Sequence, residues 1–173
     1  MSEFSSIDRQ HMRRALELAA NGLNTTTPNP SVGCVIADGE NVIAESWHER
    51  AGEGHAEARA LALAGTRAAG TTVYVTLEPC TVHGRTPPCG DALIAAGVGE
   101  VVCAMGDPNP DVNGQGYERL RAAGIAVRHG LFADIAAGQN EGYISRQSRG
   151  RPFVTLKWAQ SLEGGTAMRG GES

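Results

Sequence analysis

The chain has 173 residues, 41% of them hydrophobic and 5% aromatic, with a formal net charge of −4. That length suits one domain, with a core built mainly from Ala, Val, Leu and Ile. The acidic balance and the lack of a basic tract argue against a general nucleic-acid binder. No apolar run nears the roughly 20 residues that a bilayer span needs.

The first residues carry no signal-peptide core, so the chain reads as cytoplasmic. Thiols stay reduced in that compartment, and four cysteines then point to metal or catalysis rather than disulfides.

Ile7, Met12, Ala15, Leu16 and Ala19 recur at helical spacing and predict a helix over 7–22 that stops at Gly22. A polar loop, LNTTTPNPS, follows. VGCVIA and NVIAESW read as two strands of a hairpin turning at Asp38-Gly39-Glu40. Next come a helix over 55–65, a strand over 71–78, and a helix over 88–97 entered by prolines and left by Gly97. A strand over 100–107, a helix over 114–124, a strand over 125–130 and a helix over 131–147 complete the pattern.

The order is α-β-β-α-β-α-β-α-β-α. Strands alternating with helices after one hairpin predict an α/β fold of three layers, α/β/α, around a mixed, mainly parallel five-stranded sheet. Cys34 and Cys103 fall in the apolar strands and read as buried structural thiols. Composition changes at Gly150-Arg151-Pro152, after which FVTLKWAQS opens like a further strand.

Four residues carry the chemistry. His55 and Glu57 stand at one helix start, Cys80 follows a strand, and Cys89 opens the next helix behind Pro87-Pro88. Helix N-termini favour thiolates and other anions, so two helix starts can converge on one metal. One His and two Cys leave a tetrahedral position open, which is the catalytic type of zinc site. Water there is acidified by the metal, and a neighbouring carboxylate, Glu57, can shuttle its proton. The pattern H-x-E…P-C-x(n)-C is that of zinc deaminases. Taken singly, the residues have plainer readings: a capping His, a Glu that complements a helix dipole, or a closed structural zinc site completed by His48 and His83.

HAE at 55–57, TLEPC at 76–80 and GRTPPC at 84–89 resemble the cytidine/deoxycytidylate deaminase superfamily. PNPSVGCVI, WH, GRTPPCGDALIAAGV and DPNPDVNGQG narrow the resemblance to the deaminase domains of bifunctional riboflavin-biosynthesis proteins, over about residues 8–173. It implies a cytidine-deaminase-like fold holding one Zn2+ on His55, Cys80 and Cys89, with Glu57 as general acid–base. It further implies hydrolytic deamination of 2,5-diamino-6-(5-phosphoribosylamino)pyrimidin-4(3H)-one to 5-amino-6-(5-phosphoribosylamino)uracil and ammonia.

By the same resemblance Asn29, His48, Arg85, Asp107 and Asn109 contact the substrate, and the backbone near Ala56 and Pro79 meets the ring edge. The expected partner is this small phosphorylated pyrimidine, with no nucleic acid and no membrane; relatives often assemble, so a homo-oligomer is open. One departure stands out. The family's His two residues after the first zinc Cys is Val82 here, with His83 one position later.

Residues 1–149 are thus expected to be the deaminase domain and 150–173 the start of a truncated reductase domain; by the resemblance Lys157 and Ser161 match its early motif, and Ser173 belongs to the same remnant. NADP(H) belongs only to a full-length protein with that reductase, and no reductase activity is expected from these residues. Two competing readings are a zinc deaminase of cytosine, cytidine or tRNA adenosine, and a non-catalytic zinc-stabilised module.

Overall fold

A computed structural model describes residues 4–81, 88–162 and 164–165. Helix α1 (Ser6–Ala20) starts in a capping box: the Ser5 hydroxyl accepts from the Asp8 N–H, and the Asp8 carboxylate accepts from the Ser5 N–H. It ends two residues before the expected stop. Gly22 is required for a different reason, since a Cβ there would lie 2.7 Å from the His48 carbonyl oxygen.

Strands β1 (Gly33–Asp38) and β2 (Asn41–Trp47) form the predicted hairpin. Asp38 pairs with Asn41, and Gly39 sits at φ +57° in the turn. Then follow α2 (Ala56–Ala64), a 3-10 turn (Gly65–Ala68), β3 (Thr72–Leu77), α3 (Cys89–Ala95), β4 (Glu100–Met105), α4 (Gln115–Ala122) and β5 (Ala126–His129).

The sheet order is β2-β1-β3-β4-β5. β1 runs antiparallel to both neighbours, while β3, β4 and β5 pair in parallel. Four strands therefore share one direction and β1 opposes them, which is the mixed, mainly parallel sheet expected.

Alternation along the strands supplies two apolar faces. Cys34 and Ile36, Val73 and Val75, and Val101 and Cys103 point to the layer holding α2, α3 and α4. Val35, Tyr74, Val102 and Ala104 meet α1 and the later helix α5 (Ala133–Gln139). Cys34 and Cys103 are fully buried, and burial pushes both thiols well up, so they are inert packing groups. Gly33 permits the α1–β1 approach: a Cβ there would stand 1.9 Å from the Ala15 carbonyl oxygen.

Two sequence expectations need correction. The helix expected over 131–147 is two helices, α5 and α6 (Glu141–Arg149), divided at Asn140. Asn140 leaves the helical region (φ −123°, ψ 22°) because its side chain bonds elsewhere: Oδ1 accepts from the Ser31 N–H at 2.8 Å, and Nδ2 donates to the Ser31 carbonyl at 3.0 Å. Residues 153–161, expected to open like a strand, pair with no sheet edge among the described residues and are exposed, with Val154 79% and Trp158 62% accessible.

Candidate metal centre and substrate cavity

The parallel strands β3 and β4 deliver their C-terminal ends to one edge of the sheet, where α/β folds collect ligands. His55 is the N-cap residue of α2 and Glu57 lies in that helix's first turn. Cys80 stands three residues beyond β3, and Cys89 is the first residue of α3. Two helix N-termini thus face one point, as the sequence led us to expect.

The His55 Nδ1 atom is 3.3 Å from Cys89 Sγ and 3.6 Å from Cys80 Sγ, and the three donor atoms lie within 4.8 Å of one another. A tetrahedral zinc with bonds of about 2.0 Å to nitrogen and 2.3 Å to sulfur would separate N from S by about 3.5 Å. The donor set and its spacing fit zinc, and two soft thiolates favour it over harder cations. The Cys89 N–H donates to Cys80 Sγ at 3.3 Å, a helix-start amide supporting a thiolate. Hydrogen bonding from Cys89, then from His55, lowers the Cys80 pKa against its burial.

Glu57 is 3% exposed beside this cluster. Burial, then the Cys80 thiolate, pushes its carboxyl up to about 7. Both face a cavity of about 570 Å³ that extends over the sheet edge to α6, within the usual range for a small-molecule site.

Asn29, His48, Asp107 and Asn109 also line this cavity. His48 is buried and burial lowers its pKa, favouring the neutral ring. Its Nδ1 lies 3.2 Å from the Gly54 carbonyl, which can only accept, so Nδ1 carries the proton. Nε2 is then an acceptor, and the Asn29 amide donates to it at 3.2 Å. His48 is therefore committed to Asn29 and Gly54 and is not a metal ligand, although its ring packs edge-on to His55 at 5.3 Å. The Asp107 carboxylate accepts from the Asn109 N–H at 2.9 Å and from the Tyr143 hydroxyl at 2.8 Å.

A model of the cytidine and deoxycytidylate deaminase zinc-binding region matches residues 5–105, which hold His55, Glu57, Cys80 and Cys89. The chain belongs to this deaminase family. The riboflavin biosynthesis protein RibD of Escherichia coli (strain K12) is 55% identical over 166 residues, covering 96% of this chain and 45% of the relative. The diaminohydroxyphosphoribosylamino-pyrimidine deaminase of Buchnera aphidicola subsp. Schizaphis graminum is 46% identical over 145 residues, covering 84% of this chain and 99% of the relative. Among solved structures, RibD of Acinetobacter baumannii superposes with a TM-score of 0.91 at 51% identity, over 96% of this chain and 47% of that one. The chain thus spans about half the length of the RibD relatives it matches.

Around this deaminase cavity the structure adds residues that sequence reading missed. Tyr143 and Arg146 of α6 form part of the wall, and Arg146 donates to the Pro28 carbonyl at 2.5 Å beside Asn29. The sequence reading gave this stretch only as part of a helix over 131–147, with no site role. Glu78, read only as one letter of TLEPC, lines the cavity. Arg85, Val82 and His83 lie outside the described residues. So does Ser173, while Lys157 and Ser161 are exposed in the tail, away from the cavity.

Proposed function

We propose that this chain catalyses hydrolytic deamination of 2,5-diamino-6-(5-phosphoribosylamino)pyrimidin-4(3H)-one. The C2–N bond to the exocyclic amine breaks, a C–O bond from water forms, and 5-amino-6-(5-phosphoribosylamino)uracil and ammonia leave. The observation that carries the reading is the buried Glu57 carboxylate beside the His55–Cys80–Cys89 donor set at a ligand-sized cavity. The near full-length match to a relative named for that deamination supports the substrate.

Zinc on the three donors supplies the acidification of a water at neutral pH. Glu57 takes the water's proton and returns protons to the ring nitrogen and the departing amine, one carboxyl acting as base and then acid. Asn29, fixed by His48, and Asp107 with Asn109 orient the pyrimidine by hydrogen bonds. Arg85 is assigned to the phosphate, where its planar fork suits two oxygens.

The reading assigns residues 1–149 to the deaminase and 150–173 to the start of a reductase, which would use NADP(H) in a longer protein. It takes the protein as cytoplasmic, acting on a small molecule rather than on nucleic acid or membrane, and open to assembly as a homo-oligomer. Ammonia release from this substrate, with cytidine, cytosine and a tRNA anticodon stem in parallel, tests it. Turnover of the phosphoribosyl pyrimidine alone is expected. Turnover of another member of the panel in its place, or of none by zinc-loaded protein, would overturn the reading.

A further inference from the structure

We infer that Glu78 is a positioning residue: its carboxylate holds the segment carrying Asp107 and Asn109 at a fixed distance from the Cys80 side of the site. The inference rests on the deaminase reading for its consequence and on the hydrogen bonds of Glu78 for its physical basis.

Glu78 is 3% exposed, directly after β3. Its own N–H donates to the Met105 carbonyl at 3.0 Å, extending the β3–β4 ladder by one step and fixing the backbone. The carboxylate then accepts three main-chain N–H groups. Oε2 takes those of Asp107 at 3.2 Å and Gly114 at 3.0 Å, and Oε1 takes that of Gly116 at 2.9 Å. A buried carboxylate without partners would be prohibitively costly, and these donors are what makes it tolerable.

Asp107 and Gly114 belong to the connection between β4 and α4, and Gly116 lies in the first turn of α4. Two sit at the start of α4, whose N-cap residue Gly114 has no side chain with which to cap. Glu78 supplies that cap from the end of β3, more than 30 residues earlier in the chain, where the helix dipole favours negative charge.

The packing is close on both sides of this carboxylate. A Cβ on Gly116 would meet the Pro79 carbonyl oxygen at 2.4 Å and Glu78 Oε1 at 3.0 Å, so the α4 start presses on the step that leads to Cys80. At the other end of the connection, Asp107 and Asn109 stand in the cavity wall. One carboxylate thus couples the strand end before Cys80 to the loop expected to orient the pyrimidine. Displacing that loop weakens substrate binding while the His55, Cys80 and Cys89 donors stay in place.

Glu78→Gln preserves size but turns an NH2 group toward N–H donors. The measurements are zinc content, KM and kcat per zinc-loaded site, and amide exchange at Asp107, Gly114 and Gly116. We expect zinc retained, exchange at the three amides accelerated, and KM raised on the order of tenfold or more, with kcat changed less. Glu78→Asp, which keeps the charge, should recover part of KM.

Unchanged KM and exchange would overturn the inference, as would loss of zinc with KM unaltered. If the Gln variant does not fold, the Asp variant decides: a raised KM with zinc retained supports the role, and a wild-type KM refutes it. If the unaltered chain releases no ammonia, the function reading fails separately. Exchange at the three amides then still decides whether Glu78 holds the loop.

Discussion

The His55 ring nitrogen Nδ1 stands 3.3 Å from the Cys89 sulfur, although 34 residues separate them in the chain. One residue caps α2 and the other begins α3, so two helix starts bring them together. Either Cys89→Ser or Cys80→Ser breaks the donor set. Metal analysis should show zinc falling from about one per chain to a small fraction, because a hydroxyl replaces a soft thiolate. Full occupancy in either variant would contradict the assignment.

Asn140 holds both the N–H and the carbonyl of Ser31, two residues from Asn29, and is 4% exposed. Asn140→Ala leaves two buried backbone groups unpaired, at about 1–3 kcal/mol each. Urea unfolding should show a stability loss of about 2 kcal/mol or more. Substrate KM should also rise, because the segment bearing Asn29 is released.

Gly33→Ala forces a Cβ against the Ala15 carbonyl in the α1–β1 contact. Backbone cannot yield as a flexible side chain would, so the cost should be roughly 3 kcal/mol, at the upper end of overpacking. Thermal unfolding of the variant checks this.

The pH dependence of stability has an identifiable contributor far from the site. Burial pushes the Asp8 carboxyl up, but bonds from Arg128, the Ser5 N–H and hydroxyl, and the Tyr74 hydroxyl outweigh it and hold the pKa well below the usual range. A depressed folded pKa stabilises above the unfolded value, near about 3.9. That contribution declines below about pH 4 and is lost as pH falls through the folded value. Asp8→Asn should therefore unfold more readily than the parent at pH 7, with the gap closing toward pH 2. A gap independent of pH would contradict the sign.

The five strands and the His55–Cys80–Cys89 cluster were legible because their signals are local. Short apolar, β-rich runs and a hairpin turn marked β1 to β5, and short strings around His55, Cys80 and Cys89 marked the donors. Asn140 was not legible as a helix break, since its reason is a partner, Ser31, 109 positions away. Tyr143 and Arg146 lay in a stretch read only as helical, and their place in the cavity wall depends on how α6 packs against the Asn29 segment. Glu78 showed its role only once the amides of Gly114 and Gly116 were folded against it. The apolar run at Phe153–Trp158 had strand character but pairs with no strand among the described residues.

The central claim is that Glu57 moves protons beside a metal it does not hold. The direct measurement is ammonia release from the phosphoribosyl diaminopyrimidine by Glu57→Gln, with zinc content determined on the same sample. The account predicts full zinc, an unaltered fold and a rate lower by on the order of 10²–10⁴-fold, the usual contribution of a positioned acid–base group. Near-normal turnover with zinc bound would contradict it and leave the proton transfer to another residue.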